Sequence, residues 1–359
     1  MFLEFIYPLT KYVTGFNVFV YLTFRAAYAA LTTLLIAYVF GPLIIEALRK
    51  LKIGQAVRTD GPATHLVKDG TPTMGGVMII ISILFSMLLW QNIRNAEVIL
   101  VAVTLVAFGF IGFLDDYLKV TRHNSAGLPA WAKLAGQFVI AGGVVVFLYV
   151  NGGEEITRLY LPFFKNPVAD MGFLWIPFGI LLIVGESNAV NFSDGLDGLL
   201  AGLLIMVFIA LAILCYLSGR SDYAAYLGIP YIQGSGELTI FCLAAAGACI
   251  GFVWYNAPPA EVFMGDVGSL SLGGVVATIS LIIKKEILVL IIGGVFVLEI
   301  ASVVIQVVSY KIRKKRVFRM APIHHHYELS GIAESKIVIR FWILGGLFAI
   351  IALSTLKIQ

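Results

Sequence analysis

The sequence predicts an all-α polytopic integral membrane protein with about ten transmembrane helices, and three observations carry that class. Hydrophobic residues fill 60% of the 359 positions, charged residues only 13%, and the mean hydropathy is +0.94. Soluble domains carry about a quarter charged residues, so this chain has too few to build an ordinary water-facing surface. Apolar runs near bilayer-crossing length recur from end to end, with no low-complexity linker and no soluble domain between them. Residues 1–359 are therefore expected to form a single transmembrane domain.

The runs cover approximately 20–47, 73–90, 97–114, 131–150, 171–185, 199–217, 238–255, 268–283, 287–309 and 337–356. The fifth and eighth are short and rich in Gly or Pro, which predicts broken or shallow spans. The ninth is long and contains Glu299 and Gln306, which predicts a kink or a buried polar face. Phe2, Leu3, Phe5, Ile6 and Tyr7 look like an interfacial segment, and they lack the basic n-region and cleavage site of a signal peptide. Cys215, Cys242 and Cys249 all lie within apolar runs, so they are expected to act as small hydrophobes.

A net charge of +4 says little by itself, because in a membrane the placement of charge matters more than its sum. Ten spans put both termini on one side. The odd loops and their flanks then hold Arg49, Lys50, Lys52, Arg58, Lys68, Lys119, Arg122, Lys133, Lys311, Arg313, Lys314, Lys315, Arg316, Arg319, Lys336 and Arg340, which is 16 of the 25 basic residues. The positive-inside rule predicts odd loops in the cytoplasm and both termini outside.

The unusual polar clusters all fall in those same loops. Loop one ends Lys68-Asp-Gly-Thr-Pro-Thr-Met-Gly-Gly76; the third span runs into Asp115-Asp116-Tyr-Leu-Lys119; loop five reads Asn188 to Gly198 and loop seven Asn256 to Ser269; loop nine carries Pro322-Ile-His-His-His-Tyr-Glu328. Five clusters on one face predict one composite site in a cytoplasmic cleft.

Each cluster also has a plainer explanation. Paired acids at a helix end are often solvated boundary residues, but the dipole at a C-terminal end disfavours anions, so Asp115 and Asp116 call for a compensating cation. If helicity continues, Lys119 stacks over Asp115 at i,i+4, and Asp116 points about 100° away. Asp194-Gly195-Leu196-Asp197-Gly198 fits neither a calcium loop nor a dinucleotide fingerprint. It is either a turn capping span six or a glycine-rich approach to a ligand, with Asn191 and Asp194 placed to read a base edge. Asp266 could simply cap span eight, yet a lone carboxylate beside phosphates is also how Mg²⁺ is usually held. Consecutive side chains diverge, so His324, His325 and His326 cannot all bind one ion; one or two facing a phosphate near Arg319 is the better expectation. The P-loop, the G-x-S-x-G elbow and H-E-x-x-H do not occur, which disfavours ATP, serine and zinc hydrolysis.

Asp115-Asp116, the Asn188–Gly198 segment, Phe263-Met-Gly-Asp266-Val-Gly-Ser and Ala321-Pro-Ile-His-His-His-Tyr-Glu328 together resemble the polyprenyl-phosphate N-acetylhexosamine-1-phosphate transferase superfamily. The likeness spans essentially the whole chain, and the histidine run is its most specific part. It is closest to the branch that joins UDP-N-acetylmuramoyl-pentapeptide to undecaprenyl phosphate. The resemblance implies lipid I and UMP as products, Mg²⁺ as cofactor, a bacterial inner membrane, a homodimer, and no nucleic-acid partner. It implies Asp266 as magnesium ligand, Asp115 and Asp116 (the latter also a metal candidate) handling metal or lipid phosphate, and His325 as catalytic or phosphate-contacting. Lys68, Asn191, Asp194, Gly195, Leu196, Asn256 and Phe263 would line the nucleotide side, with Lys119, Asp197, His324 and His326 as further substrate contacts. Two alternatives stand beside this: an N-acetylglucosamine-1-phosphate transferase of the same superfamily, and an ion-coupled transporter. Glu299, a carboxylate deep in a span, favours the transporter; acids at span ends rather than at the midplane disfavour it.

Overall fold

The computed structural model describes residue 12, residues 14–50, 70–122 and 127–357. The N-terminal apolar segment and Lys68 lie outside the described residues.

Among the described residues, helices form where all ten apolar runs lie. They are α1 (Leu22–Lys50), α2 (Gly76–Trp90), α3 (Ala96–Thr121), α4 (Ala130–Asn151), α5 (Trp175–Phe192), α6 (Leu199–Ser218), then, after the short α7 (Ser221–Leu227), α8 (Gly236–Asn256) and α9 (Gly265–Ile282). The ninth span is α10 (Glu286–Ile292) followed directly by α11 (Gly294–Arg313); after the small α12 (Ile323–Glu328), α13 (Glu334–Ser354) is the tenth. Nine of the helices among the described residues are long and apolar enough to cross a membrane, and α2 is a shorter apolar helix of 15 residues. The chain is an all-α polytopic membrane protein. Its described sheet is a two-stranded antiparallel ribbon in loop four, β1 (Arg158–Leu159) with β2 (Ala169–Asp170), which the sequence reading did not anticipate.

Two expectations about the spans change, while the ninth span is broken and buries Glu299 as expected. The fifth and eighth are unbroken helices of 18 residues each. Pro177 sits in the first turn of α5, where its missing N–H costs nothing. The glycines of α9 serve packing instead of breaking the helix. The ninth span does break, but at Gly293–Gly294, ahead of the two polar residues that signalled a kink. Gln306 instead ties down loop nine: its side-chain N–H donates to Phe318 O at 3.0 Å, and its oxygen accepts from Val317 and Phe318 N–H.

The core centres on α9, where every residue from Val267 to Ile282 is buried. Without a water-driven force between helices in lipid, close backbone approach supplies much of the packing, and small residues permit it. Gly112 of α3 lies so near α9 that a β-carbon there would come 2.2 Å from Asp266 O. Ser187 of α5 donates to Leu270 O at 2.9 Å, fixing that helix against the opposite side of α9. The outer helices show their apolar side chains outward, among them Leu35 and Phe40 of α1, Val139 of α4, and Ile350 of α13, as lipid-facing surfaces require. Cys215, Cys242 and Cys249 are buried and free, as expected of small hydrophobes.

Candidate active site

The helix ends that meet at one end of the bundle come from α3, α5 and α9. Helix α3 continues past the predicted span end to Thr121, so Asp115 and Asp116 sit on regular helix and Lys119 does stack one turn beyond them. Lys119 Nζ lies 2.6 Å from Asp115 Oδ2, 3.3 Å from Asp116 Oδ1 and 3.1 Å from Asp266 Oδ2. The 100° divergence of the two aspartates is thus bridged by one long side chain. Gly265 takes a positive φ of 71° immediately before Asp266, and a β-carbon there would come 2.5 Å from Asp116 Oδ2. Glycine lets α9 start hard against α3.

Asp266 does not cap α9. Its Oδ1 accepts from the Asn191 amide at 2.8 Å, and its Oδ2 takes Lys119 and, at 2.5 Å, Lys133 of α4. Asn191 also donates to Ser269 Oγ at 2.7 Å. Backbone amides complete the cluster: Leu128 N–H donates to Asp115 at 2.8 Å and Val267 N–H to Asp116 at 3.3 Å.

Asp194 approaches from loop five and accepts from Gly265 N–H at 3.2 Å. It thereby covers the start of α9 and does not cap α6, the next helix in sequence. Burial first, then the negative charges of Asp266 and Asp116, push its carboxyl up to about 7. The site is short of positive charge even with two lysines in it.

The remaining loop residues divide between bracing and lining. Asp197 accepts from Ala260 N–H at 3.1 Å, and its own N–H donates to Glu334 at 2.8 Å. Asn256 accepts from Gly198 N–H and donates to Val262 O, joining loops five and seven. Leu196 is buried. Phe263 is half-buried with its backbone pinned to loop one, its N–H donating to Pro72 O and its carbonyl accepting from Gly75 N–H, each at 2.9 Å.

The three histidines diverge, as consecutive residues on a helix must. His324 is buried, with Nδ1 3.1 Å from Glu299 Oε1 of α11 and its ring against Gly195, where a β-carbon would come 2.1 Å from Nε2. His325 Nδ1 lies 3.1 Å from Glu328. His326 Nδ1 accepts from Arg319 N–H at 3.1 Å.

Oxygens of Asp115, Asp116 and Asp266 all lie within 4.8 Å of one another, so the cluster could hold a metal ion. All three donors are hard carboxylate oxygens, which suits Mg²⁺ and not a thiolate-seeking metal. The Lys119 ammonium within 3.3 Å of all three marks the point where a cation is favoured.

Residues 98–284 match the model of glycosyl transferase family 4, and residues 68–80 match signature 1 of the phospho-N-acetylmuramoyl-pentapeptide-transferases. Proteins of that name from Citrifermentans bemidjiense and Thermodesulfovibrio yellowstonii are 51% and 49% identical to this chain, over 99% and 100% of both lengths. The chain belongs to this family. The matched family region carries Asp115, Asp116, Asp194 and Asp266, while the histidine run lies beyond it.

Two contributors escaped the sequence reading as site residues. Lys133 was counted only as a cytoplasmic-side charge, although a lysine in the first turn of an otherwise apolar run is a signal in itself. Ser269 carries no charge to single it out within the Phe263–Ser269 motif. The Glu299–His324 contact had no local signal, since 25 residues separate the two.

Proposed function

We propose that this chain transfers phospho-N-acetylmuramoyl-pentapeptide from UDP to undecaprenyl phosphate, giving lipid I and UMP. It would do so as a single transmembrane catalytic domain, with Mg²⁺ held by Asp266 and Asp116. The observation that carries the reading is the buried carboxylate cluster braced by Lys119 and Lys133, in a chain about half identical, end to end, to transferases of that name.

In the reaction, an oxygen of the lipid phosphate attacks the sugar-bearing phosphorus of the donor, and the bond from that phosphorus to the bridging oxygen breaks. The oxygen leaves with UMP. Both reactants are anions, so charge neutralisation and in-line positioning matter more than covalent help from the protein. Asp266 and Asp116 would hold Mg²⁺, which would supply Lewis-acid neutralisation of phosphate charge. Lys119 and Lys133 set two ammonium groups beside the carboxylates, where they would neutralise phosphate charge. Asp115 keeps Lys119 in reach. Phe263 offers a face for uracil, and His325 meets charge developing during transfer. The acceptor phosphate is ionised at neutral pH and needs no strong base. The donor test is direct: purified protein with undecaprenyl phosphate and Mg²⁺ should release UMP from UDP-N-acetylmuramoyl-pentapeptide. Turnover of UDP-N-acetylglucosamine in its place would reassign the chain within the superfamily.

Phe263→Ala should weaken donor binding by about 1–3 kcal/mol, the range of base–aromatic stacking, with little dependence on salt. His325→Ala should lower turnover more than donor affinity. Equal losses of affinity in both variants, with the same salt dependence, would remove this division of labour.

The site would face the cytoplasm of a bacterial inner membrane, with both termini outside, as the basic odd loops favour. Single cysteines at the exposed positions Arg122 and Lys314 should resist a membrane-impermeant thiol reagent in intact cells. The buried native cysteines leave a silent background. Labelling at both positions would invert the orientation. The homodimer implied by the resemblance belongs to the same reading, and the mass of the detergent-solubilised protein tests it.

A further inference from the structure

Helix α9 begins at the carboxylate cluster and, after 18 residues or about 27 Å, ends at a second polar centre on the opposite face. The loops after α4, α7 and α9 and the end of α13 meet there around a small pocket that includes Tyr160, Phe164, Gly228, Lys284, Lys285 and Thr355. Lys284 is fully committed. Its ammonium donates to Ile156 O at 2.7 Å, pairs with Glu286, and lies 5.3 Å from the Trp175 ring centroid.

Lys285 is not. It is only 6% exposed, yet among the described residues its side chain has no hydrogen-bond or ion-pair partner. The residue is largely buried while its ammonium still reaches the surface of the pocket, and burial pulls it down to about 8, against the opposing pull of Glu286. Among the described side chains, Glu286 acts on both ammonium groups and Glu155 on Lys284, so two lysines meet one close carboxylate at the pocket.

More positive charge gathers at the rim. The Lys165 stem crosses Gly228, whose φ is +68° and where a β-carbon would come 3.3 Å from Lys165 Cε. Lys357 Nζ stands 3.6 Å from the Tyr226 ring centroid and donates to Tyr226 O. Nearby acids are already engaged, Glu155 by Arg158 and Tyr160, and Asp222 by Arg220. Lysines converging on the face otherwise poor in basic residues run against the general charge bias of membrane proteins, and a ligand would account for them. Phe163, Phe164 and Tyr226 stand exposed beside the pocket, the residue types that sit at the headgroup level of a bilayer.

We propose that this pocket binds the phosphate of an anionic phospholipid headgroup, with Lys285 as its inner cation and Lys165 and Lys357 at its rim. The pocket is open on one side and offers about 10 Å³, room for one phosphate oxygen with the rest of the headgroup at the mouth. A headgroup carrying its own cation is disfavoured by the surrounding lysines. The site is remote from the transferase centre and stands independently of that assignment.

Native mass spectrometry of the purified full chain, titrated with dioleoyl phosphatidylglycerol or dioleoyl phosphatidylcholine, tests it. Phosphatidylglycerol should bind the parent more tightly. Lys285→Met should weaken that binding about tenfold, the loss expected for a charge-assisted hydrogen bond, and leave phosphatidylcholine binding and UMP release unchanged. If Lys285→Met does not fold, the rim variant Lys165→Ala with Lys357→Ala carries the test and should show a loss of the same sign. Equal phosphatidylglycerol affinity in parent and variants would overturn the site. Inorganic phosphate binding as tightly as the lipid would overturn the lipid assignment.

Discussion

Asp266→Asn should abolish transfer at every practical Mg²⁺ concentration while the helical fold survives. The carboxylate is the hub of the cluster, with Asn191 on one oxygen and Lys119 and Lys133 on the other. Asparagine keeps the shape and can still accept from Asn191, but its amide then faces two ammonium groups and offers a hard cation no charge. Loss of one preorganised electrostatic group typically costs about 10²–10³ in rate, and a lost metal site should reach the upper end. UMP release measured from low to high Mg²⁺, beside a melting curve, checks this. Turnover within tenfold of the parent would relieve Asp266 of a metal role.

Gly112→Ala should be nearly as damaging without touching a polar group. The added β-carbon would lie 2.2 Å from Asp266 O, 2.3 Å from its carbonyl carbon and 2.5 Å from Val267 N. These are backbone atoms, so no rotamer change relieves the clash and α3 must move away from α9. Overpacking of this kind costs about 1–3 kcal/mol. The larger effect is geometric, because α3 carries Asp115 and Asp116 while α9 carries Asp266. Misplacing reacting groups by about 1 Å can cost around 10²-fold. Gly143→Ala on α4 is the control, since nothing lies within 4 Å of its β-position. It should match the parent or gain slightly from better helix propensity. A Gly112→Ala protein with parental melting temperature and turnover would show that the α3–α9 contact does not set the site.

The carboxylates were legible because charge is rare in this chain. Asp115, Asp116 and Asp266 stand out against long apolar runs, and their shared position in odd loops already implied a common face. The partners that organise them were harder to see. Lys133 looked like one more cytoplasmic charge, and Glu299 looked like a transport carboxylate until its contact with His324 made it a support for the histidine helix. The glycines of α9 suggested a broken span, because composition alone cannot distinguish a helix that bends at glycine from one that packs through it.

Sequence by itself determined the class, where the apolar helices lie and which acids are chemically exceptional. These follow from hydropathy and charge, properties each segment carries regardless of its neighbours, since a bilayer requires every span to satisfy its own backbone. Tertiary structure alone decided that Lys119 and Lys133 join three carboxylates from two helices, that Asp194 covers the start of α9, and that Lys285 is largely buried with no ion-pair partner among the described residues. Each of these depends on how closely helices approach and how they are rotated about their axes. Small residues distant in sequence set that approach, so no local pattern encodes it.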